Sequence, residues 1–233
     1  MATLLKRYGA GARWYDVLSG ERWIYGAGRA AGMDLLAPQR DEVVVDLGCG
    51  TGLNFPALAD AVGPEGLVVG IDRSGDMLAM AERRIDAHGW RDRVRLVTAD
   101  AATLDPALVG DVIAAERGRR HADALLTTYA LSVIDEREEA WRRARSLLRI
   151  GGRACVVDMQ PPTGRWRILS PLARLACAAG GSDIRSRAWR LVEQDAAPGS
   201  IRRTERKGGH IVALAGVLSP GPREDPNCEI SAP

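Results

Sequence analysis

Three carboxylates stand at the ends of three short apolar runs. Asp46 follows Val43-Val44-Val45, Asp72 ends Val68-Val69-Gly70-Ile71-Asp72, and Asp100 comes just after the run Val94 to Thr98. After Asp46 comes Leu47-Gly48-Cys49-Gly50-Thr51-Gly52, a turn whose glycines let a ligand lie against backbone. Strand, glycine turn and helix also make a dinucleotide site, so the turn alone is a weak signal. Two details separate the readings. The spacing is GxGxG rather than GxGxxG, since Leu53 takes the final glycine position, and Asp46, two residues ahead of the first glycine, would repel a pyrophosphate and attract a cation. Asp72 is placed to accept from the two hydroxyls of a ribose, and Ala101 beside Asp100 leaves space for a flat ring. Together the acids suit a nucleoside with a positively charged amino-acid arm: cation near Asp46, ribose on Asp72, purine amino group near Asp100.

A parallel sheet is what brings such residues together. From about residue 41 the chain alternates β-branched runs with amphipathic stretches, the pattern of βαβ units. Asn54 is expected to cap the first helix, with Pro56 in its first turn and Gly63-Pro64 at its end. The second strand, Leu67 to Ile71, leads to a helix opened by Ser74 and Asp76, with Met77, Ala81 and Ile85 on its buried face. A third strand at Val94 to Thr98, a loop, and a fourth strand at Ala124 to Thr128 follow. Asp135, with Glu138 at the capping-box position, predicts a helix running to Leu148, and Gly151-Gly152 predicts a stop before a strand at Ala154 to Met159. A last strand is expected at His210 to Val217. The organisation read from this is an N-terminal helical layer over residues 1–40, a core domain over 41–218 with an insertion at 160–207, and a Pro-rich disordered tail over 219–233.

The 233 residues, 46% apolar and 27% charged, fit a single globular domain. No apolar stretch approaches the roughly 18 residues of a membrane span, and the first residues lack a secretory h-region, so a cytoplasmic protein is expected. Cys49, Cys155, Cys177 and Cys228 form no CxxC pair, and His88, His121 and His210 stand apart, which argues against a metal site. Cys49 and Cys155 fall in or beside buried strands and read as small hydrophobes. The formal charge of +2 is too balanced to imply a polyanionic partner, and no nucleic acid is expected.

The segments Val44-Val45-Asp46-Leu47-Gly48-Cys49-Gly50-Thr51-Gly52, Val69-Gly70-Ile71-Asp72-Arg73-Ser74 and Thr98-Ala99-Asp100-Ala101 resemble those of class I S-adenosylmethionine-dependent methyltransferases. Asp123 to Leu131 and Leu147 to Arg153 agree, although Arg149-Ile150-Gly151-Gly152 departs from the commoner Lys/Arg-Pro-Gly-Gly. The resemblance implies a Rossmann-like α/β fold: a seven-stranded, mostly parallel sheet in the order 3-2-1-4-5-7-6, helices on both faces and an antiparallel last strand. It also implies S-adenosylmethionine as cofactor, held by Asp46, Gly48, Gly50, Asp72, Arg73, Asp100 and Ala101. Tyr129, just past the fourth strand, is either core or a cofactor contact. Tyr15, with Tyr8 in the aromatic N-terminal segment, resembles part of a lid found in small-molecule and lipid-type members; the bland reading is helix packing.

The methyl acceptor and the atom methylated stay open, because no general base announces itself; His210, His121 and Tyr129 are the candidates. Residues 160–207, with helical stretches expected near Arg165 to Cys177 and near Arg185 to Val192, hold 10 basic against 4 acidic groups, interleaved with Trp166, Leu169, Leu172 and Trp189. This is either a solvated helical face or a surface for anionic lipid headgroups, which would make the acceptor lipid-like, as in bacterial lipid and quinone methyltransferases. The rivals are an NAD-dependent oxidoreductase, which Asp46 and the GxGxG spacing disfavour, and a methyltransferase-like protein that binds without turnover. Oligomeric state is not written in the sequence.

Overall fold

Every residue of β1, Val43–Leu47, is buried, as expected of a parallel strand covered on both faces. The computed structural model, which describes residues 25–164 and 183–219, places β1 near the middle of a seven-stranded sheet. The other strands are β2 (Leu67–Asp72), β3 (Val94–Thr98), β4 (Ala122–Thr128), β5 (Leu148–Met159), β6 (Arg202–Arg206) and β7 (Ile211–Val217), in the order β3-β2-β1-β4-β5-β7-β6. The first five run parallel, and β7 is antiparallel to both β5 and β6. The implied strand order and the antiparallel closing strand are both present.

Alternate residues of the strands feed two apolar layers. Val43, Val45 and Leu47 pack with α4 (Pro106–Arg117) and α5 (Arg137–Ser146), while Val44, Ala124 and Val157 pack with α1 (Gly26–Leu36), α2 (Phe55–Val62) and α3 (Gly75–His88). Ser74 caps α3 by accepting from the Met77 amide, and Met77, Ala81 and Ile85 are its buried face, as the spacing predicts. A last helix, α6 (Arg190–Asp195), is tied to α5 where Asp195 accepts from Trp141 Nε1 at 2.6 Å and pairs with Arg145.

Several sequence expectations change. Residues 106–117, read as loop, form α4, capped by Asp105 with Pro106 in its first turn. Asp135 caps nothing: α5 starts at Arg137 behind Glu136, without a side-chain cap, and ends at Ser146 rather than Leu148. Gly151-Gly152 does not precede the fifth strand but lies within it, since β5 already begins at Leu148 beside Ala122. The stretch 202–206 is strand β6, and the second expected helix of the insertion is shorter and later, as α6. The expected helical stretch at 165–177, the tail, and most of the N-terminal layer with Tyr8 and Tyr15 lie outside the described residues. Cys49 and Cys155 are buried free thiols, and burial pushes Cys155 up to about 12, so the small-hydrophobe reading stands.

Candidate functional site

The strand order reverses between β1 and β4, and a cleft opens there at the carboxyl ends of β1 to β4, the usual ligand position in an open α/β sheet. Counted out to its open mouth, solvent included, the empty space is about 1140 Å³. Gly48, Gly50, Asp72, Arg73, Asp100, Ala101 and Tyr129 all border it.

The glycine turn is held from beneath. Gly48 and Gly50 sit at φ +70° and +55°, the left-handed region, and a Cβ on Gly48 would lie 2.3 Å from that of Ala130. The amides of Gly48 and Cys49 both donate to the Ile71 carbonyl, and Arg84 of α3 donates to the Thr51 carbonyl at 3.0 Å.

Asp72 is fastened on both sides. Its Oδ2 accepts from the Gly50 amide and its Oδ1 from the Ser74 amide, each at 2.9 Å. One lone pair on each oxygen is left for a ligand, so the carboxylate offers two fixed acceptors at the end of β2. Asp100 accepts from the Ala102 amide at 2.9 Å, closing a local turn, and Arg73 approaches its other oxygen at 3.6 Å. That pair is largely exposed and contributes little stability. Asp100 therefore combines a turn-forming bond with a position on the wall of the cleft.

Asp46 is placed differently from the expectation of a direct contact. It is wholly buried beneath the cleft and does not border it. Burial raises its carboxyl to about 7, against the opposing pull of the Asn54 hydrogen bond and the Arg29 charge. Asn54, expected to cap α2, makes no cap; its amide nitrogen donates to both Asp46 oxygens, at 3.0 and 3.1 Å, and stands 3.1 Å from Thr128 Oγ1. Asn54, itself on the wall, thus stands between Asp46 and the cleft.

Tyr129 occupies a left-handed backbone position, φ +59°, where β4 gives way to the next turn. Its hydroxyl donates to the Tyr25 carbonyl at 2.9 Å, the two rings meet edge to face at 4.8 Å, and the Arg29 guanidinium lies 5.6 Å from its ring. Burial pushes the phenol above its ordinary range, so it is a neutral donor rather than a base. The turn beyond, Leu131–Val133, is anchored by the fully buried Asp158, which accepts from the Ser132 amide at 3.1 Å; Val133 and Ile134 from this region form an apolar wall.

None of the described histidines borders the cleft. His121 precedes β4 at the opposite end of the sheet, and His210 places Nδ1 2.6 Å from the Gln160 carbonyl. The described residues include no cluster of His, Cys, Asp and Glu able to hold a metal. Arg29, Asn54 and Val133 belong to the site without having been singled out for it in the sequence. For Asn54 the available signal is its closeness to the glycine turn; for Arg29, an arginine preceding the first strand is no signal by itself.

Residues 45–154 match the family described as a methyltransferase domain. The chain is 33% identical over 131 residues to the 2-phytyl-1,4-naphtoquinone methyltransferase of Synechococcus elongatus, covering 56% of this chain and 49% of that protein. It is 29% identical over 120 residues to the ubiquinone/menaquinone biosynthesis C-methyltransferase of Hahella chejuensis, covering 52% and 44%. The chain spans about half the length or less of the curated relatives it matches. Among solved structures, a SAM-dependent methyltransferase from Aquifex aeolicus superposes with a TM-score of 0.53 over 82% of this chain and 89% of that one; at 13% identity the likeness is one of fold. With the motif set, the strand order and the family match all falling on one region, residues 45–154 are a methyltransferase domain of the class I, S-adenosylmethionine-dependent family.

Proposed function

We propose that the protein transfers a methyl group from S-adenosylmethionine to a small-molecule or lipid-like acceptor, leaving S-adenosylhomocysteine. The observation that carries this reading is the Asp72 carboxylate, held by two backbone amides so that it offers two acceptors beside an open glycine turn. The residues present fit this ligand. Asp72 is suited to a ribose diol, Asp100 and Ala101 to an adenine edge, Gly48 and Gly50 to close backbone approach, and the Arg29 guanidinium, which borders the cleft, to a carboxylate. The ligand supplies an activated methyl group on a sulfonium, which moves to a nucleophile by in-line displacement. What the chain supplies is alignment and exclusion of water, by the apolar side chains of Met77, Val133 and Ile134 and the ring of Tyr129 on the wall of the cleft.

With no described histidine on the cleft and a neutral phenol at Tyr129, the described residues present no imidazole or phenolate base to the acceptor. The acceptor that suits such a site loses its proton easily by itself, as an amine or the enol-like carbon of a dihydroxy ring does. The ubiquinone/menaquinone biosynthesis C-methyltransferase among the relatives supports the second class. A lipid-like acceptor is further supported by Arg185, Arg187 and Arg190, exposed around a shallow hollow beside Pro161. Their neighbours Arg165, Arg167 and Arg174 lie outside the described residues.

The test is transfer of labelled methyl from S-adenosylmethionine into a fractionated extract. Counts entering small-molecule or lipid fractions support the proposal, whereas counts in protein or RNA, or none at all, overturn it. A thermal shift with S-adenosylhomocysteine and not with NAD separates the cofactor reading from the oxidoreductase one, since only a ligand of the native state stabilises it.

A further inference from the structure

Asn54 is 4% exposed, yet its side-chain oxygen has no hydrogen-bond partner. An unpaired buried polar atom is uncommon and costly, and it points to a missing partner. The rest of the amide is accounted for: the nitrogen is committed to Asp46 and Thr128, both on the sheet side of the residue. An ionised carboxylate only accepts, so Asp46 in its charged form, the form a cationic ligand favours, draws the donating end of the amide toward itself and fixes which end is left over. That end belongs to a residue on the wall of the cleft, next to the glycine turn.

We infer that Asn54 Oδ1 is the acceptor for the α-ammonium of the ligand's amino-acid arm, and that Asp46 is a positioning residue which selects this orientation of the amide without touching the ligand. The inference rests on the cofactor reading above and goes beyond it, since it moves recognition of the ammonium from the carboxylate to a neighbouring neutral amide. The ionised carboxylate still contributes a through-space attraction to the cation, but directional recognition lies with Asn54. Arg29, which also borders the cleft, faces the same buried group and suits the carboxylate of the same arm, so the two ends of an amino acid meet groups of opposite character.

The discriminating probes are S-adenosylhomocysteine and its deaminated analogue, with hydrogen in place of the ammonium, titrated by calorimetry into the full chain. The wild-type protein should prefer the amino form by about ten- to a hundredfold, the worth of one hydrogen bond to a charged group. In Asn54→Leu the preference should fall to about threefold or less while the deaminated analogue binds nearly as before. Asp46→Asn, which keeps shape but lets the Asn54 amide turn over, should lose part of the preference, and it carries the test if Asn54→Leu fails to fold. A folded Asn54→Leu protein that retains the full preference, or a wild type that shows none, overturns the inference. Loss of both ligands equally in both variants assigns Asn54 a purely structural role and overturns it as well. If neither probe binds the wild-type protein, the cofactor reading itself fails, a result distinct from those.

Discussion

The hydroxyl of Tyr129 donates to the carbonyl oxygen of Tyr25, 104 residues earlier in the chain, and the two rings meet edge to face. The bond ties the residue that opens α1 to the end of β4, so the wall of the cleft and the approach to it from the N-terminal side are one packed unit. The Tyr25 carbonyl also receives the amides of Gly28 and Arg29 and stays satisfied if the phenol is lost. Tyr129→Phe should therefore cost only about 0.5 to 1 kcal/mol, the low end for a hydrogen bond. A urea midpoint shift corresponding to several times that amount would mean that the link does more than the contacts show.

Removal of the Asp72 side chain takes away both acceptors that it offers at the cleft and releases the Gly50 and Ser74 amides. Asp72→Ala should weaken S-adenosylmethionine binding by about 1.5 to 3 kcal/mol. Calorimetry giving an unchanged affinity would remove Asp72 from the site.

Asp123 responds to acid. Burial acts to raise its carboxyl, but hydrogen bonds from Arg119, Arg149 and the Val43 amide outweigh it and bring the group down to about 2. A depressed folded value means stability that is present above the unfolded value near 4 and is lost as pH falls through 2. Asp123→Asn should remove about 2 kcal/mol at neutral pH and flatten the stability profile between pH 4 and 2, as followed by chemical denaturation.

Asp46 carries the opposite sign. Burial raises it to about 7, so the apo protein favours its protonated form and loses stability as pH rises from about 4 to 7. A cationic ligand nearby favours the carboxylate, and its binding should release protons below pH 7 and tighten as pH rises toward 7, levelling off above it. Calorimetry at pH 6.5 in two buffers of different ionisation enthalpy reads this directly; equal heats would show that Asp46 does not change its protonation on binding.

Vesicle sedimentation tests the proposed lipid contact. Pelleting with anionic vesicles should exceed that with zwitterionic ones and fall when Arg185, Arg187 and Arg190 are all replaced by Gln, by about 1 kcal/mol per cation removed. No dependence on lipid charge would withdraw the contact.

What the sequence made legible was whatever is fixed locally. The valine runs, the Ser74 cap with its four-residue apolar repeat, and the acids at strand ends are readable because pleat, helix period and strand terminus impose their own spacing. What escaped was fixed by distant partners. Asn54 has the chemistry of a cap and sits where a cap should, yet a buried carboxylate eight residues away claims its amide. Gly151-Gly152 looks like a helix stop, but pairing with β4 carries the strand through it. The α4 helix buries only Val109, Gly110 and Ile113, too thin a stripe to show periodicity. In β6 the residues Arg202-Arg203-Thr204-Glu205-Arg206 have no apolar alternation because all but Thr204 are exposed.

That outermost strand has a consequence for how copies of the protein meet. A strand at the border of a sheet is a template for another chain, and β6 presents Arg202, Arg203 and Arg206 there, followed by Lys207. Two such borders laid side by side would bring like charges into register with no acid but Glu205 to neutralise them. The arginine surplus of the C-terminal third therefore also acts against edge-to-edge aggregation, and a glutamine-for-arginine exchange along β6 would expose the sheet to it.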